Sequence, residues 1–214
     1  MYASTTTPLP VLSAASRATL REINESALTL LTEIAHDVTA EPDDFTLAYR
    51  ARQLLRQTSP AERGQLARMP ALLVDVEFRR ADWWISAATH CNRARTRTRT
   101  ANPISTRHLN QRRMLRSLAR AALAYVWNVV QQDRPGAQIV LGTSTAVMDV
   151  IAGVGPQHMQ RIADQALWHL RPRWHDYPSI WEHLLCQNPP PAAARAARIQ
   201  WLQHLDASAL QEAR

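Results

Sequence analysis

The side chains best able to move protons or hold a metal gather late in the chain. His169, His175 and His183 fall within fifteen positions, interleaved with Asp176 and Glu182. Imidazoles and carboxylates at close range are the material of metal coordination and of general acid–base catalysis. The spacing fits no standard zinc pattern such as His-Glu-x-x-His, and no nucleophile motif accompanies it. Cys91 and Cys186 are too few for a disulfide framework or, alone, for a structural zinc site. No glycine-rich phosphate loop is present, because Gly142, Gly153 and Gly155 read as helix terminators. The expectation is half-buried and surface histidines around an aromatic cluster, with no catalytic residue, no metal and no cofactor. Within that cluster Trp168, Trp174, Tyr177 and Trp181 read as core or interface residues rather than a base-stacking platform.

Arginine is the other chemistry on offer. The net charge is +7, and all 25 basic residues are arginine. A guanidinium binds phosphate or carboxylate bidentately, so a chain of this charge expects an acidic partner, nucleic acid first. From residue 90 to 116 there are Arg93, Arg95, Arg97, Arg99, Arg107, Arg112, Arg113 and Arg116 and no acidic residue. Like charges at alternate positions repel, and no apolar residue recurs to be buried, so residues 89–114 are expected to link two domains. Their arginines either neutralise nucleic-acid phosphates or form a solvated linker without a partner.

The elements that must position these residues read as helices. Glycine is scarce, while Ala, Leu, Arg and Gln are abundant, which favours helix over sheet. Arg116 to Gln132 carries Leu118, Ala122, Tyr125, Val126, Val129 and Val130 on one helical stripe. Asp133-Arg134-Pro135-Gly136 stops it. Thr143 or Ser144 caps a helix through Val154, and Gly155-Pro156 opens another to about Leu170. Earlier, a helix is expected from Arg17 to about Thr39 and another from about Asp44 to Gln57. A further one starts at Ser59-Pro60-Ala61-Glu62, with Ser59 as cap and Glu62 at its third position. Leu72 to Ala88 fits either a strand or a loop followed by a short helix.

The two sets of elements match each other. Leu54 to Pro60 aligns with Val150 to Pro156 at an offset of 96, placing Leu66-Ala67 on Ile162-Ala163, Leu72 on Trp168 and Phe78 on Trp174. Upstream the offset is 95, with Ala27-Leu28 on Ala122-Leu123, Leu31 on Val126 and Ile34 on Val129. A period this long indicates a duplicated domain, since solenoid repeats run at about 20–50 residues. The expected organisation is a disordered tail at 1–18, helical domains at 19–88 and 115–186 around the 89–114 linker, and a terminal segment at 187–214. That last segment is a proline spacer followed by an amphipathic helix with Ile199, Leu202, Leu205 and Leu210 on one side. No basic-then-apolar leader opens the chain and no apolar stretch approaches about 18 residues, so a cytoplasmic protein without a membrane partner is expected.

Residues 118 to 178 resemble the flagellar transcriptional activator subunit FlhD. The likeness lies in a Leu-, Tyr- and Val-rich helix ending in Gln132-Asp133-Arg134, then Leu141-Gly142, Asp149-Val150-Ile151-Ala152-Gly153 and Gln157. It continues through Ile162-Ala163 to the basic, aromatic and acidic close of Leu170 to Asp176. Residues 20 to 82 resemble the same family more weakly, through Glu22-Ile23-Asn24 and Val76 to Asp82, with Leu47-Ala48 where the family has its Leu-Gly turn. The resemblance implies an all-α fold as two tandem FlhD-like copies and a role in bacterial transcription activation on DNA. It also implies dimerisation and assembly with a zinc-containing FlhC-like subunit. One chain would then replace a homodimer, although further homo-oligomers remain open. The competing expectation is a protein-interaction adaptor or secretion-system regulator whose arginines bind an acidic protein.

Overall fold

A computed structural model describes residues 12–37, 45–90 and 106–186. In order they form α1 (Ala14–His36), α2 (Tyr49–Gln57), α3 (Pro60–Ala67), β1 (Val74–Val76), α4 (Ala81–His90) and α5 (Thr106–Gln132). Then come α6 (Arg134–Leu141), α7 (Thr145–Gly153), α8 (Pro156–Ala166), β2 (Leu170–Pro172) and α9 (Pro178–Leu185). The protein is mostly helical, as its composition requires. The expected C-terminal helix after Asn188 lies outside the described residues, as do most of the N-terminal tail and the segment 91–105.

Local chemistry sets most of the boundaries. Ser59 accepts from the Glu62 backbone N–H while the Glu62 carboxylate accepts from the Ser59 N–H, a full capping box on α3. The Ser144 hydroxyl caps α7 through the Val147 N–H. Gly142 ends α6 at φ 58°, a left-handed conformation that costs a residue with a Cβ about 1–2 kcal/mol. Gly136 has another reason: a Cβ there would lie 2.9 Å from the Leu12 side chain and nearer still to the Asp133 carboxylate.

Several boundaries differ from the periodicity. α5 begins at Thr106, ten residues before the expected start at Arg116, because Met114 and Leu115 pack against the core, and Asn110 and Gln111 line one cleft with Glu33 and His36 of α1. α2 begins at Tyr49, since Phe45 and Leu47 are buried at alternate positions of a non-helical segment. α8 stops at Ala166 because Leu170–Pro172 pairs as a strand, and the undecided stretch 72–88 resolves into β1 followed by α4.

The segments expected as two domains share one core. α1 and α5 pack antiparallel: Leu12 reaches Gly136 beyond the end of α5, and His36 meets the start of α5. β1 and β2 form an antiparallel pair with Val74 opposite Pro172, Asp75 opposite Arg171 and Val76 opposite Leu170. α4 packs on α7, and in the matching arrangement α9 packs on α2. Burial repeats at the offsets seen in the sequence. Ile23, Asn24, Ala27, Leu28, Leu31 and Ile34 are buried in α1, and so are Leu118, Ala119, Ala122, Leu123, Val126 and Val129 in α5. Trp84 of α4 and Trp181 of α9 are each fully buried.

Asn24 stands out among the buried positions of α1. Its amide donates to the Ala67 and Ala71 carbonyls and its Oδ1 accepts from the Leu73 N–H at 2.9 Å. It thereby fixes the chain between α3 and β1. Across the core, the buried Arg173 guanidinium donates to the carbonyls of Leu72 and Val140, and the Arg173 N–H bonds the Leu73 carbonyl at 2.9 Å. Together they satisfy backbone groups around the strand pair that water cannot reach.

Candidate nucleic-acid interface

α5 contains no acidic residue over its 27 positions. Its first turns project arginines while its later turns supply the core, so one helix is both scaffold and charged surface. Arg112, Arg113 and Arg116 are all exposed. Spacings of four residues put Arg112, Arg116 and Arg120 along one face. Among the described residues no carboxylate pairs with Arg113 or Arg116. Arg120 is held by Asp164 of α8 at 2.8 Å. The Arg112 guanidinium lies 6.0 Å from the ring centre of Trp168, which is 52% exposed. A cation over an indole face is a cation–π contact, and it presents an aromatic surface beside the arginine row.

Between α5 and α8 runs an open groove of about 780 Å³, lined by Ala124, Trp127 and Met159 with Arg120, Gln157 and Arg161. Trp127 is fixed there by its Nε1, which donates to the Val154 carbonyl at 2.7 Å. The matching face on α1 and α3 has another character. At the 95-residue offset Arg112 and Arg116 correspond to Arg17 and Arg21, but Arg120 corresponds to Glu25, which pairs with Arg21 at 2.7 Å. Glu22 and Glu33 add negative charge to α1, and the counterpart of Trp168, Leu72, is buried. Only the α5 side combines unpaired arginines with an exposed indole.

The remaining sequence-derived candidates divide. Arg93, Arg95, Arg97 and Arg99 lie outside the described residues, and Arg107 falls in the first turn of α5. Of the aromatic four, Trp168 and Tyr177 are exposed, while Trp174 and Trp181 are buried in the core. The Trp181 Nε1 donates to the Arg173 carbonyl at 2.6 Å, and the Arg173 guanidinium stacks 4.9 Å from the Trp174 ring centre. The histidines go to separate neighbours. His169 lies 3.4 Å from Glu77 and edge-on to Trp83, His175 is 3.0 Å from Asp176, and His183 Nδ1 is 2.6 Å from the Ser179 carbonyl. Among the described residues no group of three His, Cys, Asp or Glu is placed to hold a metal, and no single helix is long and apolar enough to cross a membrane.

Sequence reasoning missed Asn24, Asp75 and Arg173. Asn24 carried a usable signal, since it occupies a position of the α1 stripe that its counterpart Ala119 fills with an apolar residue. Comparison of the chain with protein-family models, with curated proteins and with solved structures gives no match.

Proposed function

We propose that the chain is a DNA-associated subunit of a transcriptional activator that works with an FlhC-like partner. The observation that carries the reading is the α5 face: Arg112, Arg113 and Arg116 exposed, without carboxylates, beside Trp168. Such guanidiniums supply phosphate contacts, which set position and affinity but carry no sequence information. Base readout then belongs to other groups or to the partner, as does any zinc the assembly needs. The likeness to FlhD supplies the regulatory half of the proposal.

The proposed fold is a fused pair of related halves. Support comes from the matched burial at offsets of 95 and 96 and from the reciprocal packing of α4 on α7 and α9 on α2. The strand register is centred on the Asp75–Arg171 pair, 96 positions apart, which supports a pseudo-two-fold relation in which one chain takes the place of a homodimer.

Fluorescence anisotropy of a labelled duplex from upstream of the protein's own operon, against a scrambled duplex, tests the function. Titrations with and without the neighbouring gene product are expected to show preference for the upstream DNA, strongest with the partner. A flat response in every combination overturns the reading and favours an adaptor for an acidic protein.

A further inference from the structure

Where the two halves meet, polar residues drawn from 75–80 and from 171–177, with Leu141, line a pocket of about 200 Å³. Asp75 and Arg171, opposite each other in the strand ribbon, both line it. The chain leaves the two strands through left-handed residues, Glu77 at φ 51° and Trp174 at φ 57°, which line it as well.

Donors in this pocket outrun acceptors. Arg171 Nε and Trp174 Nε1 are buried without a hydrogen-bond acceptor, although Trp174 is only 4% exposed. Native structures leave few such groups unmet. Arg171 Nη1 lies 3.2 Å from His175 Nε2, and the same nitrogen lies 3.0 Å from Asp176 Oδ1. One imidazole nitrogen cannot accept from a guanidinium and donate to a carboxylate at once. Whenever His175 donates to Asp176, Arg171 therefore needs another acceptor. The other carboxylates are engaged: Glu77 by His169 and Arg80, and Asp75 Oδ1 by the Phe78 N–H at 3.0 Å.

We propose that this pocket binds a small oxyanion, a phosphate or a short carboxylate, held by Arg171 with Trp174 Nε1. Guanidinium–oxyanion contacts are charge-assisted and often bidentate. The volume falls below the roughly 300–1,000 Å³ of sites for drug-sized ligands, which leaves no room for a nucleotide. Because β1 and β2 both contribute lining residues, the occupant links the two halves and acts as an effector of their packing. The site does not depend on the DNA reading.

Thermal unfolding of the full chain in sodium phosphate or sodium malonate, at ionic strength matched with sodium chloride, tests it. A saturable rise of about 3–6 °C at ten times Kd is expected. Arg171→Gln should lose that rise, and Arg134→Gln, which breaks only the exposed pair with Asp149, should keep it. Phosphate also stabilises proteins by exclusion from their surface, an effect all variants share, so the difference between them is the readout. Response to one anion alone supports the site and identifies its geometry. Equal rises in wild type and Arg171→Gln, or no rise with either anion, overturn it. Calorimetric titration of the wild type with the same salts needs no variant to fold: a saturating heat at 1:1 is expected, and its absence with both anions overturns the proposal.

Discussion

Replacing Arg112, Arg113 and Arg116 together by alanine removes the exposed charge of the α5 face and little else. Exposed substitutions usually change stability by less than about 0.5 kcal/mol. The Arg112–Trp168 contact adds about 0.5–1 kcal/mol at an exposed site, and the higher helix propensity of alanine offsets part of it. The variant should therefore keep its helical circular dichroism and unfold within a few degrees of wild type. DNA binding should change far more. Each phosphate neutralised contributes about 0.9 to the slope of log affinity against log salt, so three contacts contribute about 2.7. Between 50 and 200 mM salt that share amounts to about 40-fold in affinity. Anisotropy titrations across this range should show the triple variant weaker at low salt and shallower in slope by about that amount. Arg50→Ala, a control that removes a single arginine whose side chain is 82% exposed and pairs loosely with Glu182, should keep most of the slope. A folded triple variant whose slope falls by less than one phosphate contact would refute the assignment of this face to DNA.

Other consequences are open to direct measurement. Asn24→Ala strips hydrogen bonds from the Ala67 and Ala71 carbonyls and the Leu73 N–H. With three buried groups left unmet at about 1–3 kcal/mol each, a loss of at least about 3 kcal/mol is expected in urea unfolding. A loss under 1 kcal/mol would mean that water replaces the amide. Burial pushes the Asp75 carboxyl above its ordinary value of 3.8, against the Phe78 N–H bond and the nearby Arg173 and Arg79. A folded-state pKa above the unfolded one means that stability falls as pH rises from the ordinary value through the raised one. Asp75→Asn retains an oxygen for the Phe78 N–H, so its stability relative to wild type should grow with pH across that window and level off below it. A difference independent of pH would contradict the raised carboxyl. Finally, residues 1–95 and 96–214 expressed separately should fail to unfold cooperatively, since α4 and α9 each pack on the opposite half, and co-expression should give a 1:1 complex. A cooperatively unfolding monomer from either half alone would show that the halves are independent.

Where the chain announces its local structure, the sequence was readable. The α3 capping box, the α7 cap and the break after Gln132 each depend on residues within one turn of the feature. The start of α5 was hidden because Arg112, Arg113 and Arg116 interrupt any apolar stripe, and contact with the end of α1 holds that part of the helix. β1 and β2 were hidden for a different reason. Three residues are too few for an alternating pattern, and their pairing partners lie some 96 positions away. The aromatic cluster was legible as a cluster, but which rings face solvent depends on packing across the core. The arginine face was legible as composition. Its distinctness appeared only once the matching α1 face, with Glu25 where α5 has Arg120, could be set beside it.

The strand ribbon also dictates an order of events on the ribosome. β1 emerges long before β2, and at about 5–20 residues per second the gap between them takes roughly 5–20 s to synthesise. Until each is made, the nascent N-terminal half lacks α7 for α4, then β2 for β1, and last α9 for α2. Trp84, Leu73 and Val76, all fully buried in the finished fold, wait without their partners. A chain that carries both sides of one core escapes the need to find its mate by diffusion. In exchange its first half keeps apolar surface uncovered until α9 has been made.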